Sequence, residues 1–330
     1  MQVSQMAELT NASSAAAAAV VASQSGAVVS AIIGSTDLSD PVQIQESISA
    51  LATVAVSASG RMASATADQL MAVAQSALAS LYAMQQQAGA ASTQQQGASG
   101  ALGSLDIELI KSMCALISGV AESSSAASSG SGRRRLMDLT AAQAAAQLRS
   151  VTGLANSLVG GVRSHATPGG GSLAAGSEDT YLSAAVSGAS AGASGLTATT
   201  GSGGSSAGRR RGLLSASVAS ASASAQLILA SGGSQLPGAS LQLSYVANAG
   251  LLVELAVAGS LPASASARIA SGLAIVSVRD VSGQAVASLP TGGYVALTLP
   301  LQRNFSSGLV SACGKYDAAT GTITGVDFVA

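Results

Sequence analysis

Leu241-Gln242-Leu243-Ser244-Tyr245 decides the fold. Apolar and polar side chains alternate through it, and a period of two sends them to opposite faces of a β-strand. Working outward, Leu227, Ile228 and Leu229 form a short apolar run, and Leu251–Val257 alternates less cleanly. Ala274 to Val278 is β-branched, and Asp280-Val281-Ser282-Gly283 supplies a turn. Tyr294, Ala296, Thr298 and Pro300 interleave with Val295, Leu297, Leu299 and Leu301. Short strands punctuated by turns predict an antiparallel β-sandwich over residues 226–330.

Upstream the period is helical. Residues 8–33 are Ala-rich and helix-compatible. Asp40 before Pro41 is a cap followed by a residue suited to the first helical position. Val42, Ile44, Ile48, Leu51, Val54 and Ala55 then repeat near 3.6. Thr66 to Gln69 opens a second such helix, with Leu70, Val73, Ala77, Leu78 and Leu81 on its face and Gln85–Gln87 and Gln94–Gln96 as a polar link. Ser104-Leu105-Asp106-Ile107 starts a third, and a fourth runs from about Asp138 to Arg163. The expected organisation is α+β: an Ala/Ser-rich helical region over 1–163, with a disordered segment near 123–137, then a long disordered Gly/Ser/Ala linker over 164–225, then the sandwich. Gly, Ser and Ala dominate 187–208, which bury too little apolar surface to offset ordering entropy.

Composition narrows the function classes. Aromatic residues are 2 % and charged residues 9 % of 330, and the formal net charge is −1. No global field attracts nucleic acid or anionic lipid, and neither a basic stripe nor stacking aromatics are present. Two triplets, Arg133, Arg134, Arg135 and Arg209, Arg210, Arg211, hold six of the fourteen basic residues. They read as solvated charge runs in linkers, with a dibasic processing site or an anionic-surface contact as the functional alternatives. One histidine, His165, excludes a His-based metal cluster. Its place beside Pro168-Gly169-Gly170-Gly171 reads as a surface loop. Asp106 and Glu108, two apart on a helix, diverge and cannot act as a pair. No Gly-rich run sits between a strand and a helix as a phosphate loop requires. The chain reads as a non-enzyme without a cofactor, a metal or an evident small-molecule substrate.

Cys114 lies in an apolar helical pattern and reads as core, whereas Cys313 lies in a polar, turn-rich segment. Asn11-Ala-Ser13 and Asn304-Phe-Ser306 fit the glycosylation acceptor pattern. Met1 to Val20 contains no Lys or Arg, so the basic region of a signal peptide is missing. Ala15 to Ile33 raises a membrane span, which Ser23, Gln24, Ser25 and Ser30 interrupt.

The order of a helical region, a β-rich region, the loop at Asn304, Cys313-x-x-Tyr316-Asp317 and Gly321 resembles the juxtamembrane region of polycystin/sperm-receptor-for-egg-jelly (REJ) proteins and the GAIN-like fold of adhesion receptors. In that family a helical subdomain packs on a β-sandwich whose last strands form the GPS motif. Cys313, Tyr316 and Asp317 match its opening. Gly321-Thr322-Ile323 occupies the Gly-Trp region without the Trp, and the second Cys and the cleavage tripeptide are absent, so autoproteolysis does not carry over. The resemblance implies a non-catalytic extracellular or lumenal stalk or adhesion module, a membrane region downstream of Ala330, a disulfide from Cys313 to a downstream cysteine, and Tyr294 and Tyr316 in the sandwich core. Its protein or glycan ligand is not indicated. The alternatives are a soluble intracellular Ala/Ser-rich scaffold in the cytoplasm and a secreted cell-wall or matrix glycoprotein.

Overall fold

A computed structural model describes residues 15–59, 61–92, 105–125, 140–177, 179–188, 195–200, 223–229, 236–258, 271–300, 314–317 and 322–325. The fold is α+β. Helices α1 (Ala15–Ser35), α2 (Pro41–Ser57), α3 (Ser64–Ser92), α4 (Ile107–Ser125) and α5 (Ala141–His165) come first. Strands β1 (Leu173–Gly176), β2 (Thr180–Val186), β3 (Thr197–Thr199), β4 (Ser224–Ile228) and β5 (Ser240–Val246) follow. Then come α6 (Gly250–Ala258), β6 (Leu273–Arg279), β7 (Tyr294–Thr298), β8 (Gly314–Asp317) and β9 (Thr322–Gly325).

Local chemistry sets the helix starts. The Asp40 carboxylate accepts from the Val42 amide, with Pro41 leading the helix. Asp106 does the same for the Glu108 amide at the head of α4. Thr140 and Gln143 form a reciprocal capping box on α5.

The larger sheet runs β1-β2-β5-β6 and the smaller β3-β4-β7, both antiparallel; β8 and β9 form a separate hairpin. The larger sheet is covered on both faces. Leu241, Leu243 and Tyr245 of β5 join Ala198, Ala225 and Leu227 in a core between the two sheets. Val246, with Leu182 and Ala184 of β2, joins the helical core instead. That second core holds Ile44, Ile48 and Leu51 of α2, Ile110, Met113 and Ile117 of α4, and Leu148, Leu154 and Leu158 of α5. The result is three layers: helices, four-stranded sheet, three-stranded sheet.

Helices α3 and α5 run parallel along a polar ladder. Gln147 Nε2 donates to Asp68, Gln75 Nε2 to the Ser150 carbonyl, and Tyr82 Oη to the Ser157 carbonyl at 2.8 Å. Asp68, Gln75 and Tyr82 are spaced by seven, the repeat that keeps one helix face on its neighbour. Burial raises the Tyr82 phenol above its usual value.

Several expectations are corrected. Residues 164–225 are not simply a linker: they supply β1, β2, β3 and the first residues of β4, thereby entering both sheets. Ala and Ser build these strands, and their burial comes from the layers stacked on either face. Leu251–Val257 lies in helix α6, not a strand, with Leu252, Val253 and Ala256 buried. A segment apolar on every side satisfies either period. Gln85–Gln87 are within α3, which extends to Ser92. Helix α4 continues through Ser123 to Ser125. Tyr294 is 55 % exposed, because on edge strand β7 its neighbour Val295 takes the inward side; Tyr245 is buried, 3 % exposed, and the Tyr316 side chain lies outside the described residues.

Helices α2 and α4 meet backbone to backbone at Gly119, where an added Cβ would stand 2.6 Å from the Ala55 carbonyl carbon and oxygen. Gly119→Ala is therefore expected to destabilise by about 1–3 kcal/mol through overpacking. Gly34→Ala, at a helical position with open space, is expected to stabilise by roughly 0.5–1 kcal/mol. Urea unfolding of both variants checks the opposed signs.

Candidate functional site

The site residues singled out from sequence fall almost wholly outside the described residues. This holds for Cys313, Asn304, Asn11, Arg133, Arg134, Arg135, Arg209, Arg210 and Arg211. Of the closing stretch, the hairpin is described: Lys315 pairs with Thr324, Tyr316 with Ile323 and Asp317 with Thr322, and Lys315 is exposed.

His165 departs from expectation. It ends helix α5, is half-buried, and its Nε2 donates to the Leu105 carbonyl at 2.6 Å. It ties the end of α5 to the residues leading into α4, and the carbonyl fixes the proton on Nε2. Asp106 and Glu108 separate as expected: Asp106 also accepts from Gln45 Nε2, while Glu108 pairs with Lys111 at 2.7 Å on an exposed face. Such a surface pair contributes little.

A cleft of about 460 Å³ opens where Gly169–Ser172, the end of β2 and the start of β3 meet. Its lining is glycine, Ala185, Val186, Leu196 and the hydroxyl residues Ser172, Ser187, Thr197 and Thr199. Those hydroxyls are engaged inside the fold. Ser172 Oγ and Thr199 Oγ1 lie 3.1 Å apart, Ser187 donates to the Leu236 carbonyl, and Thr197 donates to the Gly195 carbonyl. The cleft has the volume of a ligand site, but its described lining carries no titratable side chain to bind charge or move a proton.

Three hydroxyls meet where the β1–β2 turn docks on α4. Ser118 Oγ lies 3.0 Å from the Cys114 carbonyl, 2.7 Å from Ser177 Oγ and 2.8 Å from Thr180 Oγ1. Ser118 has one proton and two lone pairs. Its one proton faces two acceptors, the Cys114 carbonyl and Thr180 Oγ1, while Ser177 Oγ can donate to it. One turn back, Cys114 is fully buried, and burial pushes its thiol far above the usual value. The expected core role for Cys114 is what the fold shows.

A donor-rich corner lies at the opposite end of the same sheet. Arg279 Nε and Ser277 Oγ both donate to Gln242 Oε1, at 3.0 and 3.1 Å. Arg279 Nη1 donates to the Gly283 carbonyl and Arg163 Nη2 reaches the Asp280 carbonyl at 3.4 Å. The Asp280 carboxylate is held below the usual carboxylate range by Ser282 Oγ and then the Gln284 amide.

No protein-family model and no curated protein sequence matches the chain.

Among the described residues no group of three His, Cys, Asp or Glu is placed to hold a metal ion. No described helix is long and apolar enough to cross a membrane, and α1 turns Val21, Val28 and Val29 into the helical core. Sequence reasoning missed the hydroxyl cluster and the donor corner. The one signal for the corner was polar residues, Gln242 and Ser244, alternating with leucines in a strand whose every residue is buried.

Two outcomes are expected. In the native protein at pH 8, Cys114 stays unmodified by iodoacetamide and reacts fully in urea, read by peptide mass mapping. Ser118→Ala leaves Thr180 buried with a lost partner and lowers stability by about 1–3 kcal/mol, measured by urea unfolding.

Proposed function

We propose that this chain is a non-catalytic stalk or adhesion module from the extracellular or lumenal side of a membrane protein resembling the polycystin/REJ group. The observation that carries the reading is the seam between layers. Strand β5 belongs to the sheet–sheet core and the helix–sheet core at once. A helical layer joined to a β-sandwich through one shared sheet is a single mechanical block. Load applied to the sandwich reaches the helices through the ladders of β2, β5 and β6 rather than through a hinge. The polar groups support the same role: hydroxyls and amides hold layer to layer, as in Ser118 to Thr180 and Ser244 Oγ to the Ala155 carbonyl at 3.5 Å. The module would transmit force to, or present a surface beside, a membrane region downstream of Ala330.

Sequencing the complete transcript tests this. A membrane-spanning segment encoded downstream is expected, together with a glycan on Asn304 in intact mass of protein from its native host, lost in Asn304→Gln. A transcript that stops at Ala330 with no upstream signal peptide would sink the reading. So would recovery of the intact protein in the extracellular fraction without detergent, which fits a matrix protein.

A further inference from the structure

The cleft beside β3 is bounded by a strand edge that nothing among the described residues pairs. β3 is the outermost strand of the smaller sheet, with β4 on one side only. The Leu227 amide donates to the Leu196 carbonyl at 2.8 Å, and the Thr200 amide donates to the Ala223 carbonyl at 2.9 Å. Residues that bond to the neighbour alternate along an antiparallel ladder with residues whose N–H and C=O point the other way. Leu196 and Thr200 face β4, so Thr197 and Thr199 turn their N–H and C=O groups to the open side. The lining agrees: Thr197 and Thr199 border the cleft, whereas Ala198 between them is buried in the core between the sheets. Gly195, at φ +84°, and Leu196 both bond to Leu227, and this bulge starts the strand.

The cleft gives that edge room. Its volume of about 460 Å³ is that of a ligand site. Gly169, Gly170 and Gly171 form another wall, and a Cβ added to Gly171 would meet nothing within 4 Å. This wall is held in place: the Gly169 amide donates to the Val186 carbonyl at 2.9 Å, and the Gly170 amide to the Thr167 carbonyl at 3.0 Å. The hydroxyls of the cleft already bond within the fold. None of its described lining is titratable. The main-chain groups of Thr197 and Thr199 are therefore the partners it offers.

We infer that β3 binds an extended, uncharged peptide segment of a partner, which adds to the smaller sheet as a fourth, antiparallel strand. Donors and acceptors spaced along a strand edge are matched by another main chain. The pairings within this sheet are all antiparallel, which sets the direction. A second copy of this chain does not fit, because its β3 lies in the same recess and two recessed edges cannot meet. A sugar would find no aromatic ring in the lining. The added residue opposite Ala198 shares the inward face of Ala198 and Leu196, so that position selects a small apolar side chain. The residues opposite Thr197 and Thr199 share the outer face, where serine or threonine suits. A charged side chain would be desolvated there with no counter-charge. Binding of this kind needs neither a membrane region nor a glycan, so it stands or falls apart from the stalk reading.

The test uses the full chain and the capped peptide acetyl-Ser-Thr-Val-Thr-Ser-amide, its valine placed opposite Ala198. Titration followed by amide NMR is expected to show saturable shifts at Thr197, Thr199 and Gly171, with slower hydrogen exchange at the two threonine amides. N-methylation of both peptide threonines removes the N–H groups that face β3 and is expected to abolish binding. N-methylation of the valine, whose N–H points away, is expected to leave it. Thr197→Pro removes one outward N–H without touching the ladder to β4, and is expected to weaken binding about twofold to tenfold, the worth of one hydrogen bond. Gly171→Leu, at a position with open space, fills the cleft and is expected to abolish binding even if Thr197→Pro fails to fold. Equal binding by the two methylated peptides, or unchanged binding to Gly171→Leu, would overturn the proposal. So would the absence of saturable binding, or Thr197 and Thr199 amides already protected from exchange in the free protein, which marks a paired edge.

Discussion

The parity of strand β5 is the constraint on which the rest depends. All seven of its residues are buried. Leu241, Leu243 and Tyr245 serve the core between the sheets, and Gln242, Ser244 and Val246 face the helices. Slipping the strand by one residue would put Gln242 and Ser244 between the sheets and drive a leucine row into the helical layer. The register is therefore fixed from both sides. The β5–β6 connection fixes it again at one end, where the Gly272 amide donates to Tyr245 Oη and an added Cβ on Gly272 would stand 2.4 Å from the Val246 carbonyl. Both layers pack on the sheet of which this strand is a central member, with β2 and β6 presenting residues to the same two cores.

Small side chains set how closely those layers approach. Burying alanine removes little apolar area, at about 25 cal/mol per Å², so an Ala-rich core gains stability by bringing backbones together. Gly119 on Ala55 is the tightest case. The α3–α5 ladder uses the same device: Gln75 Nε2 and Tyr82 Oη lie against Gly153 and Gly160, seven residues apart, and reach backbone carbonyls because no side chain intervenes. Leu, Ile and Met fill the remaining volume, as Ile44, Ile48, Leu70 and Met113 do at 0–1 % exposure.

This division explains what the sequence discloses. Helices α2 and α4 and strands β5 to β7 carry Leu, Ile and Val in clear periods, and they fold as those periods predict. Strand β2 is buried at six of seven positions, yet Ser183-Ala184-Ala185 shows no alternation, because alanine suits either face. Its burial is decided by β5 on one side and β1 on the other, which no local reading reports. Tyr294 fails for a different reason: the family resemblance placed it inward, whereas its parity on β7 points it out. The residues flagged for function were loop motifs such as Cys313 and Asn304. The polar groups that the fold brings together come from strands and helix ends far apart in sequence, such as Arg163 and Arg279, and no motif joins them.

The two ends of the larger sheet differ in how their polar atoms balance. At the Thr180 end, Ser118, Ser177 and Thr180 each have a partner within the cluster, with the Cys114 carbonyl as a further acceptor. At the Ser240 end, donors outnumber acceptors: one amide oxygen already takes two bonds, and a hydroxyl and an amide nitrogen take part in none. A chain with 9 % charged residues has few groups with which to correct such an imbalance. Arg279 and Arg163 add donors there and bond to the Gln242 oxygen and the carbonyls of the 280–283 turn, while the Asp280 carboxylate in that turn is taken up locally by Ser282 and the Gln284 amide.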